Sequence, residues 1–195
     1  MRRLNYQIAI SGLSLVGLLS LLAGCAGDSA YMPLKNGQSW RYFAHEETGS
    51  RIRNIKVGKR CPVGNHQGFE LTGDGGTSKM AWVDGELWVA EFASMRFDPP
   101  LVLLKPGTPT AKWSHSGIGT SRVFQQQFNA QLIQEPAKLE VLGQKRNTLL
   151  VTLKMEFQGK QITLESWFQK GLGIVKQEQR VGGIKVFALE WVGGS

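Results

Sequence analysis

Apolar and polar residues alternate along much of the chain after residue 38. In the clearest stretch, LLVTLKMEFQ at 149–158, every second side chain from Leu149 onward is apolar. A period of two is typical of a β-strand with one buried face. Gly159-Lys160 follows, and a glycine in the first position of a two-residue connection predicts a type II′ hairpin. The predicted cross-strand pairs are Gln158–Gln161, Phe157–Ile162, Met155–Leu164, Val151–Phe168 and Lys154–Glu165.

Other segments repeat this alternation with different turns. Asp84-Gly85 separates KMAWV from ELWVAEF and predicts a hairpin with a type I′ turn. Gly182-Gly183 separates GIVKQEQRV from IKVFALEWV and predicts another hairpin. No long stretch has a convincing helical period. Further strands are predicted over 120–133, 38–45, 50–57, 67–72 and 137–142.

About ten or eleven strands joined by tight turns predict an all-β fold. We expect an antiparallel meander that forms a strongly curved sheet or a barrel, because both shapes leave few unpaired strand edges. A single β-domain over residues 31–195 is long enough to bury a hydrophobic core.

Residues 97–113, FDPPLVLLKPGTPTAKW, interrupt the alternation. Proline has no N–H to donate to a sheet ladder and is therefore disfavoured in a central strand. We expect this segment to form a long ordered loop across one end or the mouth of the sheet.

The first 24 residues have a different character. Arg2 and Arg3 precede an uncharged, mostly apolar run from Ile8 to Ala23. That run is shorter than the ~20 apolar residues that a transmembrane helix needs. A basic start, a short apolar run and small residues at its end are typical of a secretory signal peptide. The sequence therefore predicts a cleaved signal peptide over residues 1–24, with a buried N-terminal helix or an uncleaved anchor as the alternatives.

The end of this run, Leu22-Ala23-Gly24-Cys25, resembles the lipobox of bacterial lipoproteins. The resemblance implies transfer of diacylglycerol to the Cys25 sulfur, cleavage between Gly24 and Cys25, and N-acylation of Cys25 by a fatty acid such as palmitate. Residues 25–30 would then be the lipidated N-terminus and a short tether. Five extended residues reach at most roughly 17 Å, so the β-domain is expected close to the lipid surface.

The residue after the cysteine bears on location. In lipoproteins of this kind an aspartate there implies retention in the inner membrane, whereas this chain has Ala26. The resemblance therefore implies the periplasmic face of the outer membrane, or the plasma membrane if the source cell has a single membrane.

Two short segments resemble paired motifs of uncharacterised bacterial secreted and lipoprotein β-domains. MPLKNGQSWRY (32–42) carries P-L-x-x-G-x-x-W-x-Y, and ITLESWFQKGLGIVKQE (162–178) carries W-F-x-x-G-x-G-x-V-K. The resemblance implies a β-fold and no particular chemistry. Physically, Gly171 and Gly173 allow the chain to bend between two strands.

Composition and charge narrow the function classes. The chain is 42% hydrophobic and 19% charged, which is a globular composition. Its formal charge of +8 falls by two when Arg2 and Arg3 leave with the signal peptide. A basic surface favours anionic lipid, glycan or nucleic acid, and export argues against nucleic acid. A merely solvated basic surface is the simpler alternative.

No metal-binding pattern is found in the sequence. His45, His66, His115 and Cys61 do not have the spacing of a recurrent metal site, so we expect no metal and treat the histidines as surface loop residues. Cys61 is the one thiol left after lipidation, and we expect it to be packed and unreactive. We expect no cofactor apart from the acyl groups that are covalently bound to Cys25.

No catalytic constellation is found either. Ser116 lacks the preceding glycine of a hydrolase nucleophile elbow, and GDGG at 73–76 lacks the lysine and helix of a phosphate-binding loop. Both segments are interpreted as turns, and no catalytic residue is predicted.

Tryptophans are the remaining candidate binding residues. Trp82, Trp88, Trp113 and Trp167 can form a surface for lipid or glycan, and core packing is the alternative. Trp167 shares the polar face of its strand with Thr163 and Glu165, which points to a second apolar surface.

The sequence thus predicts a membrane-anchored, non-enzymatic binding or scaffold module of the cell envelope, with an envelope protein or an amphiphile as partner. The alternative is a carrier or acceptor of lipid or lipidated cargo built on a half-barrel sheet; a hydrolase has the least support. An apolar cavity inside the sheet would favour the carrier, and a filled core with an exposed apolar patch would favour a protein partner.

Overall fold

The computed structural model describes residues 31–157 and 159–194. Residues 1–24, the tether at 25–30 with Cys25, and Gln158 lie outside this part, so the signal peptide and the lipidation site stay predictions. The described part contains no helix long and apolar enough to cross a membrane. Its strands are β1 (Ser39–Glu46), β2 (Gly49–Val63), β3 (His66–Gly73), β4 (Gly76–Val83), β5 (Glu86–Phe92), β6 (Met95–Leu104), β7 (Ala111–Thr120), β8 (Gln125–Val141), β9 (Gln144–Phe157), β10 (Lys160–Gln169), β11 (Gly173–Val181) and β12 (Ile184–Gly194).

The strands form a closed antiparallel barrel. Each strand pairs with its neighbours in the sequence, and β1 pairs with β12 to complete the circle. The prediction of an all-β antiparallel meander is confirmed. The sheet is closed, so the half-barrel expected for a carrier does not form.

Alternation places one face of each strand inside the barrel. Along β9, Val151, Leu153 and Met155 are buried in the main core, whereas Lys154 and Glu156 are exposed. The end of the β2–β3 hairpin packs against the outer face of β4 and β5 instead. A second, smaller core cluster forms there from Cys61, Val63, Ala81 and Val83, with Trp88 and Ala90 against it.

Three hairpins test the predicted turns. Asp84 and Gly85 have φ of 50° and 81°, as the predicted type I′ turn requires. Gly182 and Gly183 have φ of 59° and 84°, so the second predicted hairpin has positive φ at both turn residues as well. The predicted β9–β10 register is wrong by two residues, because Phe157 pairs with Lys160 and not with Ile162. A shift of two leaves every side chain on its predicted face. The observed pairs are Met155–Ile162, Leu153–Leu164, Val151–Ser166, Leu149–Phe168, Lys154–Thr163 and Thr152–Glu165.

The proline-rich segment is mostly strand, which corrects the prediction of a long loop over 97–113. Residues 95–104 form β6, residues 111–120 form β7, and only 105–110 connect them. Pro99 and Pro100 are tolerated because neither has a ladder partner on β5 or on β7. The missing N–H groups therefore cost no sheet hydrogen bond.

Strand β8 joins two stretches predicted as separate strands, 120–133 and 137–142. Pro136 lies within it, two residues beyond Gln134, the last partner of β7. On the β7 side no strand residue lies opposite Pro136, so its missing N–H leaves no acceptor unpaired there. On the other side Pro136 pairs with Leu149 of β9. Ser116, predicted in a turn, is an exposed residue of β7.

The β6–β7 seam is held largely by side chains. Its ladder has three residue pairs, between Arg96–Asp98 and Ile118–Thr120. Beyond them, Trp113 Nε1 donates to the Val102 carbonyl at 3.0 Å, and His115 Nε2 lies 3.1 Å from the Pro99 carbonyl. The fully buried Gln134 amide completes the seam. It bonds Lys105 N and O, each at 2.9 Å, and Thr108 O at 2.8 Å.

Candidate ligand cavity inside the barrel

Two cavities of about 290 and 220 Å³ lie inside the barrel. They share three lining residues, Phe92, Ala93 and Gln179, so the two cavities are adjacent. The larger volume is close to the lower limit for small-molecule pockets, about 300 Å³. Most lining side chains are apolar. In the larger cavity they include Met32, Trp40, Ile55, Leu71, Met80, Ile174, Phe187 and Leu189.

The base of the larger cavity is closed by the two motif segments. Trp40 Nε1 donates to the Leu172 carbonyl at 2.5 Å, and the Tyr42 hydroxyl donates to the Ile174 carbonyl at 3.0 Å. Burial raises the pKa of Tyr42 far above its ordinary value, so the phenol is neutral. Met32 is buried beside them. The polar atoms at the base are thus paired with backbone, and the surface they leave to the cavity is apolar.

The N-terminal segment closes the same end of the barrel. Met32 packs in the main core, and its carbonyl accepts a hydrogen bond of 2.8 Å from Trp82 Nε1. Tyr31 and Leu34 pack against this core as well. The chain therefore enters the barrel at the closed end.

The opposite end, which we call the mouth, is formed by the β3–β4 and β5–β6 turns. Gly75, Gly76 and Ala93 belong to these turns, are exposed, and line the larger cavity. The cavity thus runs from Trp40 at the base to exposed turns at the mouth. Such a cavity offers an apolar ligand a path from solvent.

Few polar side chains line the cavities. Gln177 Nε2 donates to Ser166 Oγ at 2.8 Å inside the barrel. Gln179 lies between the two cavities, and Ser78 and Arg53 lie near the mouth. Arg53 is the one charged residue among the described residues that line either cavity.

The four predicted binding tryptophans are in different places. Trp82 and Trp113 pack against the main core inside the barrel. Trp88 lies on the outer face against the small cluster around Cys61. Trp167 is on the outer face of β10, with Lys176 Nζ 5.5 Å from its ring centroid. The structure does not bring the four together, and none of them lines the two cavities.

The histidines are on strands, which corrects their assignment to surface loops. His45 and His66 are exposed on β1 and β3, and His115 is half-buried on β7. Burial lowers the pKa of His115, and the hydrogen bond to Pro99 opposes this. In residues 31–157 and 159–194, no group of three or more histidine, cysteine, aspartate and glutamate side chains is placed to hold a metal ion.

Cys61 is a free, buried thiol, as expected from the sequence. Burial raises its pKa, which favours the unreactive thiol form. The segment GDGG at 73–76 includes the β3–β4 turn, as predicted, and contributes to the mouth.

Sequence reasoning missed Arg53, Phe92 and Gln179 as cavity residues. A signal for Arg53 exists, because Arg53, Ile55 and Val57 alternate on one face of β2. A charged residue on the apolar face of a strand is a candidate for a role inside the barrel. Phe92 lies after a bulge in β5, and the sequence carries no mark of that bulge.

These features define a class of protein: a closed meander barrel with an apolar cavity that opens at one end. The same fold occurs in the crystal structure of a candidate lipoprotein from Parabacteroides distasonis ATCC 8503, with a TM-score of 0.54, 10% identity, and coverage of 85% of this chain and 98% of that chain. No family model and no curated protein matches the chain.

Two further solved structures are similar to a lesser degree. A candidate exported protein with a YmcC-like fold from Bacteroides fragilis NCTC 9343 has a TM-score of 0.42 and 7% identity, over 83% of this chain and 96% of that one. The hypothetical lipoprotein YmcC from Escherichia coli K12 has a TM-score of 0.43 and 10% identity, over 82% and 89%.

Proposed function

We propose that this protein is a membrane-anchored lipoprotein of the bacterial envelope whose barrel binds the apolar part of an amphiphile. The observation that carries the proposal is the apolar cavity that runs from Trp40 to the exposed turns at Gly75 and Ala93. Burial of an acyl chain there would release water from apolar surface on both partners. A filled barrel would have favoured a pure scaffold.

The proposed anchor is Cys25, in the outer membrane by the resemblance of its flanking residues. The chain reaches the barrel through Met32, at the closed end. A short tether from Cys25 would place this end toward the lipid and the mouth away from it. The barrel would then present its ligand to the periplasm.

The proposed role is binding and not catalysis. Among the described residues that line the cavities, Arg53 offers a guanidinium and none offers a carboxylate or imidazole for proton transfer. Ser116 is exposed on β7 next to Gln127 and Asn129, and it does not line either cavity.

Purification of the protein from envelope membranes in mild detergent tests the proposal. Organic extraction followed by mass spectrometry should yield an amphiphile in stoichiometric amount, in addition to the acyl chains covalently bound to Cys25. Recovery of a specific envelope protein with no such amphiphile would contradict the carrier role and support a scaffold.

A further inference from the structure

The mouth of the larger cavity holds an unbalanced pair of cations. Arg51 Nη2 lies 3.2 Å from Glu46 Oε2, and Arg53 Nη2 contacts Glu46 Oε1. Two guanidinium groups thus share one carboxylate, so these three side chains together carry one net positive charge. The two arginines differ in position, because the side chain of Arg51 is 56% exposed and that of Arg53 is 14% exposed.

Arg53 has a hydrogen-bond donor without a partner inside the barrel. Its Nε is buried and has no hydrogen-bond partner. A buried N–H without a partner is unfavourable, and more so when the group is charged. The guanidinium carbon lies 5.4 Å from the centroid of the Phe187 ring, which also lines the cavity. Arg53 is therefore held against the cavity wall with an unused donor.

The backbone at the mouth leaves room for this guanidinium. A Cβ at Gly75 would collide with Arg53 Nη1, so the glycine is needed for the position that the side chain adopts. An anionic group entering between Gly75 and Phe187 would meet a planar donor matched to carboxylate and phosphate geometry.

We propose that the ligand is a single-chain amphiphile with an anionic head group, which binds with its chain in the cavity and its carboxylate or phosphate at Arg53. This inference rests on the proposed function. The head group would accept hydrogen bonds from the Arg53 guanidinium, which lines the cavity, whereas Arg51 does not. The apolar chain would extend toward Trp40 at the base.

Photoaffinity labelling of the full acylated chain in native membranes tests this proposal. The probes are diazirine-bearing analogues of decanoate, decyl phosphate and decanol, and peptide mass spectrometry locates the labelled residues. Arg53→Gln should lower the ratio of anionic to neutral labelling in the cavity by about tenfold or more, because charge-assisted bonds contribute at least ~1.5 kcal/mol. Stronger labelling by decanoate would indicate a carboxylate head group, and stronger labelling by decyl phosphate would indicate a phosphate head group.

Arg51→Gln is the matched control, since it removes the same charge from the same carboxylate outside the cavity. It should change the ratio by less than about threefold. Gly75→Ala is a second test, because it displaces the Arg53 guanidinium and keeps every charge; it should also lower the ratio.

Each remaining outcome decides a different claim. Equal labelling of the cavity by all three probes, or equal effects of Arg53→Gln and Arg51→Gln, would overturn the anionic head group and leave the proposed function standing. Absence of cavity labelling by every probe would contradict the proposed function as well.

Discussion

Trp40 and Leu172 are 132 residues apart and are joined by a hydrogen bond of 2.5 Å from the indole Nε1 to the carbonyl. Tyr42 makes the equivalent bond to Ile174. The two segments that resemble paired motifs of secreted β-domains therefore contact each other at the base of the cavity. Their glycines and aromatic residues have a structural role there, because they close one end of the barrel.

Gly173→Ala should weaken this closure. Gly173 has φ of +94°, and an added Cβ would lie 3.1 Å from Trp40 Nε1 and 3.3 Å from Met32 Sδ. We expect the free energy of unfolding to fall by about 2–4 kcal/mol, as backbone strain and crowding add. Urea denaturation of the purified chain measures it.

Gly171→Ala is the control for that change. Its φ is +84°, and a Cβ added there would meet nothing within 4 Å, so only strain of about 1–3 kcal/mol is expected. Equal losses for the two alanine variants would show that the contact of Gly173 with Trp40 and Met32 adds nothing.

The β6–β7 seam should depend on Trp113. In Trp113→Phe the Val102 carbonyl loses its donor, which should cost about 1–3 kcal/mol and speed amide hydrogen exchange over residues 101–104. Trp88→Phe is the control, since Trp88 Nε1 is buried without a partner. It should be close to neutral, and faster exchange of the seam in both variants would refute the role of Trp113.

Glu178 should make stability depend on pH on the acid side. Burial raises the pKa of this carboxyl, but a hydrogen bond from Lys176 and the charges of Lys176, Lys185 and Arg180 outweigh it, so the pKa is lowered. A carboxyl with a lowered pKa stabilises the fold above its unfolded pKa, and the contribution is lost as pH falls through the folded pKa. The free energy of unfolding should therefore drop below about pH 4.5.

Glu178→Gln should reduce stability at pH 7 by about 1–3 kcal/mol and flatten the acid-side slope. The comparison is Glu190→Gln, because Glu190 is 54% exposed and 4.0 Å from Lys176; a change within about 0.5 kcal/mol is expected. Urea denaturation at a series of pH values from about 3 to 7 measures the free energy of unfolding of each variant and its slope with pH. An unchanged slope in Glu178→Gln would assign the acid sensitivity to other carboxylates.

The predicted anchor is tested with the two cysteines. Cys25→Ser should abolish incorporation of labelled palmitate and release the protein from the membrane. Cys61→Ser should keep both the label and the membrane association, because Cys61 is buried in the small outer cluster. A Cys25→Ser protein that is still processed and still pellets with membranes would contradict the lipoprotein assignment.

Periodicity and turn chemistry predict most of this fold. The pairs Asp84-Gly85 and Gly182-Gly183 determine their hairpins locally, because positive φ is needed at both residues of each turn. Pro99 and Pro100 misled the prediction over 97–113, since a proline in a strand is harmless only where no neighbour pairs with its backbone. That information depends on strand partners far away in the sequence.

The candidate site was less predictable than the fold. Tryptophan content pointed to Trp82, Trp88, Trp113 and Trp167, which lie at separate places in the barrel. The cavity instead arises because the number of strands in the closed sheet sets the width of the barrel, and the inward-facing side chains do not fill that interior completely. Its volume is a property of twelve strands packed together, and no local pattern records it.

The most direct test of amphiphile binding is to fill the cavity. Ile55 lines the larger cavity, whereas Ile52 on the same strand is an exposed residue. Native mass spectrometry of the chain purified from membranes should detect a non-covalent amphiphile on the wild type and on Ile52→Trp, and none on Ile55→Trp, with circular dichroism confirming that both variants are folded. Retention of the amphiphile by folded Ile55→Trp, or its absence from the wild type, would contradict binding inside the barrel.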